Sequence, residues 1–105
     1  PIPFGLQGLL YLSDTKKDQG AFTVIPGFQN KIDSWLENLP KGKNPRDTEL
    51  LQNFKQEPIA GEAGDFIIWN HCLPHGSSPN TSDKPRIVQY INYQPIDLKF
   101  QEEWI

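Results

Sequence analysis

Residues 64–93 read GDFIIWNHCLPHGSSPNTSDKPRIVQYINY, and this stretch decides the fold. Residues 66–70 (FIIWN) are apolar, rich in β-branched and aromatic side chains, and follow a Gly-Asp turn, which predicts a strand. Residues 86–93 (RIVQYINY) alternate well between apolar and polar groups and predict a second strand. The connection at residues 76–85 contains Gly, Ser, Pro, Asn and Asp, which favour turns. The stretch therefore predicts short strands joined by polar turns.

The region upstream follows the same pattern. Residues 5–13 (GLQGLLYLS) predict a strand whose alternation places three leucines on one side and Leu9 with Tyr11 on the other. Apolar groups on both faces are typical of a strand inside a sandwich or barrel. Residues 14–20 (DTKKDQG) are polar and end in Gly, which indicates a hairpin connection. Residues 21–25 (AFTVI) would then be the return strand.

Residues 28–56 interrupt the strands and predict a helical insertion. Asn30 can cap a helix in which Asp33 occupies the third position, and Pro40 ends it. Residues 47–54 predict a second short helix. Apolar side chains recur at helical spacing in the first helix: Ile32, Trp35, Leu36 and Leu39. The insertion either influences substrate choice at a barrel mouth or only covers a sheet face, and the sequence leaves both readings open.

Composition sets limits on the function. The 105 residues are enough for one domain, and the scattered Lys and Arg residues with a net charge of −3 argue against nucleic-acid and anionic membrane partners. No apolar run is long enough to cross a membrane. A single cysteine, Cys72, favours a reducing, cytoplasmic setting. The sequence contains no Met and opens on Pro1, which indicates an excerpt of a longer protein.

Two histidines, His71 and His75, are the candidate metal ligands. They are four residues apart, and Pro74 and Gly76 disfavour the helix that would let both bind one ion. On a strand the same four residues span about 13 Å, so at most one of the two can be a ligand. His75 is the better candidate because it stands where a strand meets a Gly-Ser turn, although a turn histidine with satisfied hydrogen bonds is the simpler alternative.

Arg86 strengthens the case for a site at His75. It opens the strand at residues 86–93, and an antiparallel pairing with the strand before residues 76–85 would bring the two side chains opposite one another. A guanidinium binds a carboxylate through two parallel charge-assisted hydrogen bonds, so Arg86 could hold the far end of a metal-bound dicarboxylate. Ser77 could add a hydroxyl donor. A surface arginine and an ordinary turn serine are the alternatives.

These residues resemble the C-terminal motif of the phytanoyl-CoA dioxygenase-like family. The likeness runs through GDFIIWNHCLPHGSSPNTSDKPRIVQYI and LYLSDTKKDQGAFTVIPGFQ and covers roughly residues 5–93. It implies a mainly β, double-stranded β-helix (jelly-roll) fold with Fe(II) held by two histidines and one carboxylate. It also implies that His75 is the second of those histidines, that Arg86 binds the distal carboxylate of the cosubstrate 2-oxoglutarate, and that Ser77 assists. The implied reaction consumes O₂ and oxidises a C–H bond of a small organic substrate, with ascorbate as an accessory reductant.

The chain departs from the family pattern in two places. The His-x-Asp motif that supplies the other iron ligands should precede residue 5, and it is absent, so residues 1–105 correspond to the C-terminal part of one oxygenase domain. Alone, this part should be inactive and should depend on the rest of its domain upstream. Gln29 stands where the family turn usually ends in histidine, a change expected to be neutral.

Three functional readings remain open from the sequence. The leading one is an Fe(II)- and 2-oxoglutarate-dependent oxygenase, in which hydroxylation and halogenation are not distinguished because the first metal motif is missing. The second is a non-catalytic jelly-roll binding module or pseudoenzyme. The third is a cupin-type isomerase, which would keep a metal site in a β-barrel but has no need for Arg86 at this spacing.

Overall fold

The structure is a computed structural model and describes residues 5–45 and 47–94. Within these described residues, six strands and three short helical segments follow one another. The segments are β1 Leu6–Tyr11, β2 Phe22–Val24, a 3₁₀ turn at Phe28–Asn30, α1 Ile32–Glu37, a 3₁₀ turn at Thr48–Leu51, β3 Glu57–Ile59, β4 Phe66–Asn70, β5 His75–Ser77 and β6 Val88–Tyr93. The tail from residue 95, to which the sequence assigned no element, lies outside the described residues.

The strands form two antiparallel three-stranded sheets, one in the order β4-β1-β6 and the other in the order β3-β2-β5. The prediction of a mainly β, jelly-roll-like fold is confirmed. The prediction of a hairpin at residues 14–20 is wrong, because β1 and β2 belong to different sheets. The polar segment between them crosses from one sheet to the other, a distinction that local turn chemistry does not encode.

The core lies between the inner faces of the two sheets. Leu9 and Tyr11, which alternation placed on the same side of β1, are both fully buried. They pack against Phe22 and Val24 of β2 and against Trp69 of β4. The ring centroids of Phe22 and Trp69 are 4.2 Å apart. Because these five side chains come from both sheets, they hold the sheets face to face.

The helical segments are shorter than the sequence predicted. Helix α1 begins after Lys31, which occupies the N-cap position without a side-chain hydrogen bond, so the prediction of Asn30 as the cap is wrong. A 3₁₀ turn ending at Asn30 takes up the preceding residues. The second predicted helix is only a 3₁₀ turn, capped by Asp47, whose side chain accepts a hydrogen bond from the N–H of Glu49. Among the described residues, no helix is both long and apolar enough to cross a membrane.

Candidate functional site

Strand β5 places His75 at the edge of the inner face of its sheet. The residue lies opposite Val24 of β2, and since directly opposed residues point to the same face, its side chain faces the core. Its ring centroid is 5.1 Å from that of Trp69, which belongs to the other sheet, and 5.8 Å from that of Phe22. The residue is nevertheless exposed. The imidazole of His75 therefore packs on two aromatic rings on one side and is accessible from the other.

A backbone hydrogen bond determines which nitrogen of His75 can bind a metal. The Nδ1 atom lies 2.8 Å from the carbonyl oxygen of Leu73. A carbonyl can only accept, so Nδ1 carries the proton and donates it. In the neutral imidazole the lone pair is then on Nε2. This arrangement, in which a second partner fixes the ring and its tautomer, is typical of histidine ligands.

Arg86 reaches the same interior from the other sheet. Val88, two residues further on, packs against the core, and Ile87 between them is exposed on the outer side. Alternation therefore directs Arg86 inward. Its Nη2 donates to the hydroxyl of Tyr90 at 3.1 Å. Its Nη1 is buried and, within residues 5–45 and 47–94, is the one buried side-chain nitrogen or oxygen atom without a hydrogen-bond partner.

The predicted direct pairing of the His75 and Arg86 strands is wrong. Strand β5 pairs with β2, whereas β6 pairs with β1, so the two strands lie in different sheets. Strand β6 begins at Val88, so the prediction that Arg86 opens the strand is also wrong, and Arg86 lies in the segment that leads into it. Both side chains nonetheless face the space between the sheets, His75 through its contact with Trp69 and Arg86 through its electrostatic interaction with Tyr11. A polar connection between two strands predicts neither their partners nor their sheet, and here it crosses between the layers.

The other two predicted site residues differ in position. Ser77 lies opposite Phe22 on β5, so it shares the inner face with His75, and it is exposed. His71 follows the end of β4, where its backbone N–H donates to the carbonyl oxygen of Gly5 at 3.0 Å. Its ring lies over the backbone of Gly5, with Nδ1 3.0 Å from the position that a Cβ there would take. His71 is thus packed on the start of β1.

An open cavity of about 190 Å³ adjoins β5. It is smaller than a typical pocket for a drug-sized ligand, so it suits a small molecule or part of one. Its lining comes from β2, from β5 and its preceding loop, and from the helical region. These residues are Thr23, Val24, Ile25, Leu51, Gln56, Pro74, His75, Gly76 and Ser77.

Trp69 and Tyr90 also lie at the site, although no sequence pattern predicted a functional role for either residue. Trp69 is almost fully buried beside His75, and its indole N–H donates to the side-chain oxygen of Gln7 at 3.0 Å. The hydroxyl of Tyr90 accepts a hydrogen bond from Arg86, and the guanidinium carbon lies 5.9 Å from the centroid of the Tyr90 ring, within range of a cation–π interaction. Tyr90 could have been predicted from its spacing, because it is four residues from Arg86 and residues four apart in an extended segment share a face.

The side chains that could bind a metal are dispersed over the described part of the chain. Within residues 5–45 and 47–94, no group of three or more His, Cys, Asp or Glu side chains is placed to hold an ion. Cys72 is a free thiol whose pKa is raised, first by burial and then by the negative charge of Asp33. A raised pKa keeps the thiol protonated, which makes Cys72 a poor metal ligand and nucleophile.

The fold and the site together define a jelly-roll-like protein in which an exposed imidazole and a half-buried guanidinium with one buried, unpaired nitrogen face one interior. The chain belongs to the phytanoyl-CoA dioxygenase (PhyH) family, whose model matches residues 3–88. A comparison with solved structures gave no match.

Three relatives show how the chain compares with longer proteins. It is 32% identical over 98 residues to a phytanoyl-CoA dioxygenase-like protein of Dictyostelium discoideum, covering 86% of this chain and 27% of the relative. It is 27% identical over 82 residues to the 2-aminoethylphosphonate dioxygenase of uncultured bacterium HF130_AEPn_1, covering 78% and 30%. It is 30% identical over 50 residues to the methylphosphonate hydroxylase of Gimesia maris, covering 48% and 19%. The chain thus spans less than a third of each relative.

Proposed function

We propose that this chain supplies one metal-binding imidazole and the cosubstrate-binding arginine of an Fe(II)- and 2-oxoglutarate-dependent oxygenase. The observation that carries the proposal is the buried, unpaired Nη1 of Arg86. Membership of the phytanoyl-CoA dioxygenase family and relatives named as a dioxygenase and a hydroxylase support oxygenase chemistry. The alternative, a non-catalytic module of the same fold, leaves that guanidinium without an explanation.

The guanidinium of Arg86 fits the distal carboxylate of 2-oxoglutarate. A buried donor without a partner destabilises the free protein, and an incoming carboxylate would accept its hydrogen bond. Tyr90 already holds Nη2, so the planar group cannot turn freely, which favours a fixed orientation for the anion. Ser77, on the inner face of β5, would add a hydroxyl donor.

His75 fits an iron ligand through its Nε2 atom, because Nδ1 is engaged with Leu73. Bound Fe(II) would supply the activation of O₂ that couples decarboxylation of 2-oxoglutarate to oxidation of a substrate C–H bond. Trp69 and Phe22 pack beside the imidazole and would keep water from that side of the site. We propose that the remaining ligands, a His-x-Asp pair, come from upstream in the same domain.

We propose a small organic substrate whose choice depends on the helical insertion, residues 28–56. Leu51 and Gln56 of this region line the cavity that also contains His75. Hydroxylation is the proposed outcome, with ascorbate as an accessory reductant. A cytoplasmic setting is proposed from the single cysteine, Cys72.

The test compares the two histidines in the protein that carries this chain at its full natural length. 2-Oxoglutarate consumption is measured with added Fe(II) and O₂, and iron content is determined in parallel. His75→Ala should abolish consumption and lower bound iron, because one ligand is lost. His71→Ala is the matched control, since it removes an imidazole four residues away that packs on Gly5, and it should keep iron stoichiometry and turnover.

Equal activity in the two variants would remove His75 from the metal site. A wild-type protein that binds neither iron nor 2-oxoglutarate would favour the non-catalytic module instead. Isomerisation without 2-oxoglutarate consumption would favour the cupin-type alternative.

A further inference from the structure

Gln19 is buried in a segment that looks like a surface turn. It lies in DTKKDQG between β1 and β2, yet its side chain and backbone together are only 4% exposed. Its side-chain oxygen accepts from the N–H of Lys16 at 3.2 Å, and its Nε2 donates to the carbonyl oxygen of Pro85 at 2.9 Å. The amide of Gln19 therefore joins its own turn to the backbone of Pro85, 66 residues further along the chain.

Pro85 immediately precedes Arg86, so the Gln19 amide holds the backbone from which the guanidinium projects. The next residue, Gly20, lies beside the side chain of Arg86: a Cβ built there would lie 4.0 Å from the Cδ of Arg86. Gly20 has a φ of 70°, a left-handed conformation that favours glycine. The turn thus lies against both the backbone before Arg86 and the stem of its side chain.

A second amide reinforces the same segment. Asn80 pairs with Gln19 in an isolated antiparallel bridge, and its Nδ2 donates to the carbonyl oxygen of Lys84 at 2.8 Å. Two consecutive carbonyls, those of Lys84 and Pro85, are therefore held by two side-chain amides just before Arg86. Asn80 is exposed whereas Gln19 is buried, so the Gln19 bond is the less exchangeable with water and the more consequential of the two.

We propose that Gln19 is a positioning residue for 2-oxoglutarate binding, acting through Pro85 to aim Arg86 into the space between the sheets. The inference rests on the proposed function of Arg86. Loss of the Pro85 contact would let the segment that leads into β6 shift, and with it Arg86; small displacements of a binding group weaken ligand binding strongly. Gln19 would then affect cosubstrate affinity without touching the cosubstrate.

The experiment uses Gln19→Glu in the full-length protein, titrated with 2-oxoglutarate and assayed for turnover. Glutamate keeps the acceptor for Lys16 N–H but cannot donate to Pro85 when ionised. We expect the KM and Kd for 2-oxoglutarate to rise about tenfold, the order of effect of one buried unpaired carbonyl, with kcat nearly unchanged. Gln89→Glu is the matched control, because Gln89 also donates to a backbone carbonyl, that of Tyr90, but is exposed on the opposite face of β6.

Gln19→Met removes both hydrogen bonds of the side-chain amide and preserves the length of the side chain. This variant should raise the KM for 2-oxoglutarate at least as much as Gln19→Glu. A double-mutant cycle with Arg86→Lys separates positioning from general destabilisation. If Gln19 acts through Arg86, the effects of Gln19→Glu and Arg86→Lys on 2-oxoglutarate affinity will not add. Additive effects, or a fall in melting temperature with unchanged KM, would overturn the inference.

The outcomes separate this inference from the proposed function. If Arg86→Lys does not weaken 2-oxoglutarate binding, the proposed role of Arg86 fails. If Arg86→Lys weakens it and Gln19→Glu matches Gln89→Glu, only the role of Gln19 fails.

Discussion

Tyr11 and Arg86 place polar groups in the same interior, but they differ in whether those groups have partners. The hydroxyl of Tyr11 donates to the carbonyl oxygen of Ile59 at 2.7 Å and accepts from the N–H of Phe22 at 3.0 Å. The guanidinium of Arg86 bonds Tyr90 and leaves Nη1 buried without a partner. Native proteins satisfy nearly all buried polar groups, so the difference distinguishes a structural group, that of Tyr11, from the group that we propose binds a ligand.

Replacing Arg86 with Met should give the largest effect on ligand binding. If the guanidinium pairs with a carboxylate in a partly buried site, removing it should cost about 3 kcal/mol, or more than a hundredfold in 2-oxoglutarate affinity. The free protein should be about as stable as wild type, because Met fills much of the space and removes an unpaired donor. Ligand titration and thermal unfolding without ligand measure the two quantities.

The proposed contrast between Arg86 and Tyr11 would be contradicted if Arg86→Met lowered the stability of the protein but left its affinity for 2-oxoglutarate intact. Arg86 would then be a structural residue like Tyr11. Arg86→Lys is the conservative control: it keeps the charge but loses the planar pair of donors, so its affinity should fall between those of wild type and Met.

Replacing Tyr11 with Phe should give the opposite pattern. The change leaves the N–H of Phe22 and the carbonyl of Ile59 without their hydroxyl partner in a fully buried position. We expect unfolding free energy to fall by about 1–3 kcal/mol, with 2-oxoglutarate affinity changed much less. Denaturant titration measures the loss. Strong loss of affinity at unchanged stability would contradict the structural role of Tyr11.

The pKa of Tyr11 gives a pH signature for the same variant. Burial raises this pKa above its ordinary value, while the hydrogen bond from Phe22 and the positive charge of Arg86 oppose the rise. With the folded pKa above the unfolded one, the unfolded chain releases its proton first. Stability therefore falls as pH rises above about 10. Tyr11→Phe should remove this part of the loss of stability at alkaline pH, which unfolding measured at several pH values would show.

The sequence predicted the faces of the strands better than their partners. Alternation placed Leu9 and Tyr11 together on one side of β1, and the structure buries that side. It did not reveal β3 or β5, because strands of three residues that contain Pro58 or Gly76 carry no measurable period. Sheet membership was also missed, since it depends on contacts between segments far apart in the chain.

The residues of the candidate site could be predicted only where a side chain has the chemistry of a ligand-binding group and also faces the interior. His75 and Arg86 have side chains whose chemistry suits a ligand site, and the structure directs both toward the same interior although the predicted strand pairing was wrong. Gln19 gave no such signal. It stands among polar turn residues, and its burial comes from a partner 66 residues away, Pro85. A long-range hydrogen bond of this kind is a product of topology and is not written in the local pattern.

The smallest effect, that of Ser77→Ala, tests how much of the carboxylate site lies on β5. Ser77 shares the inner face with His75 but is exposed, so its hydroxyl competes with water for any ligand. We expect 2-oxoglutarate affinity to fall by less than about tenfold, the effect of one neutral hydrogen bond. Ser78→Ala is the matched control, because the Oγ of Ser78 donates to the carbonyl oxygen of Lys17 at 2.9 Å and supports the chain rather than the site. If Ser77→Ala loses no more affinity than Ser78→Ala in the same titration, Ser77 does not bind the cosubstrate, and the anion is held by Arg86 without a donor from β5.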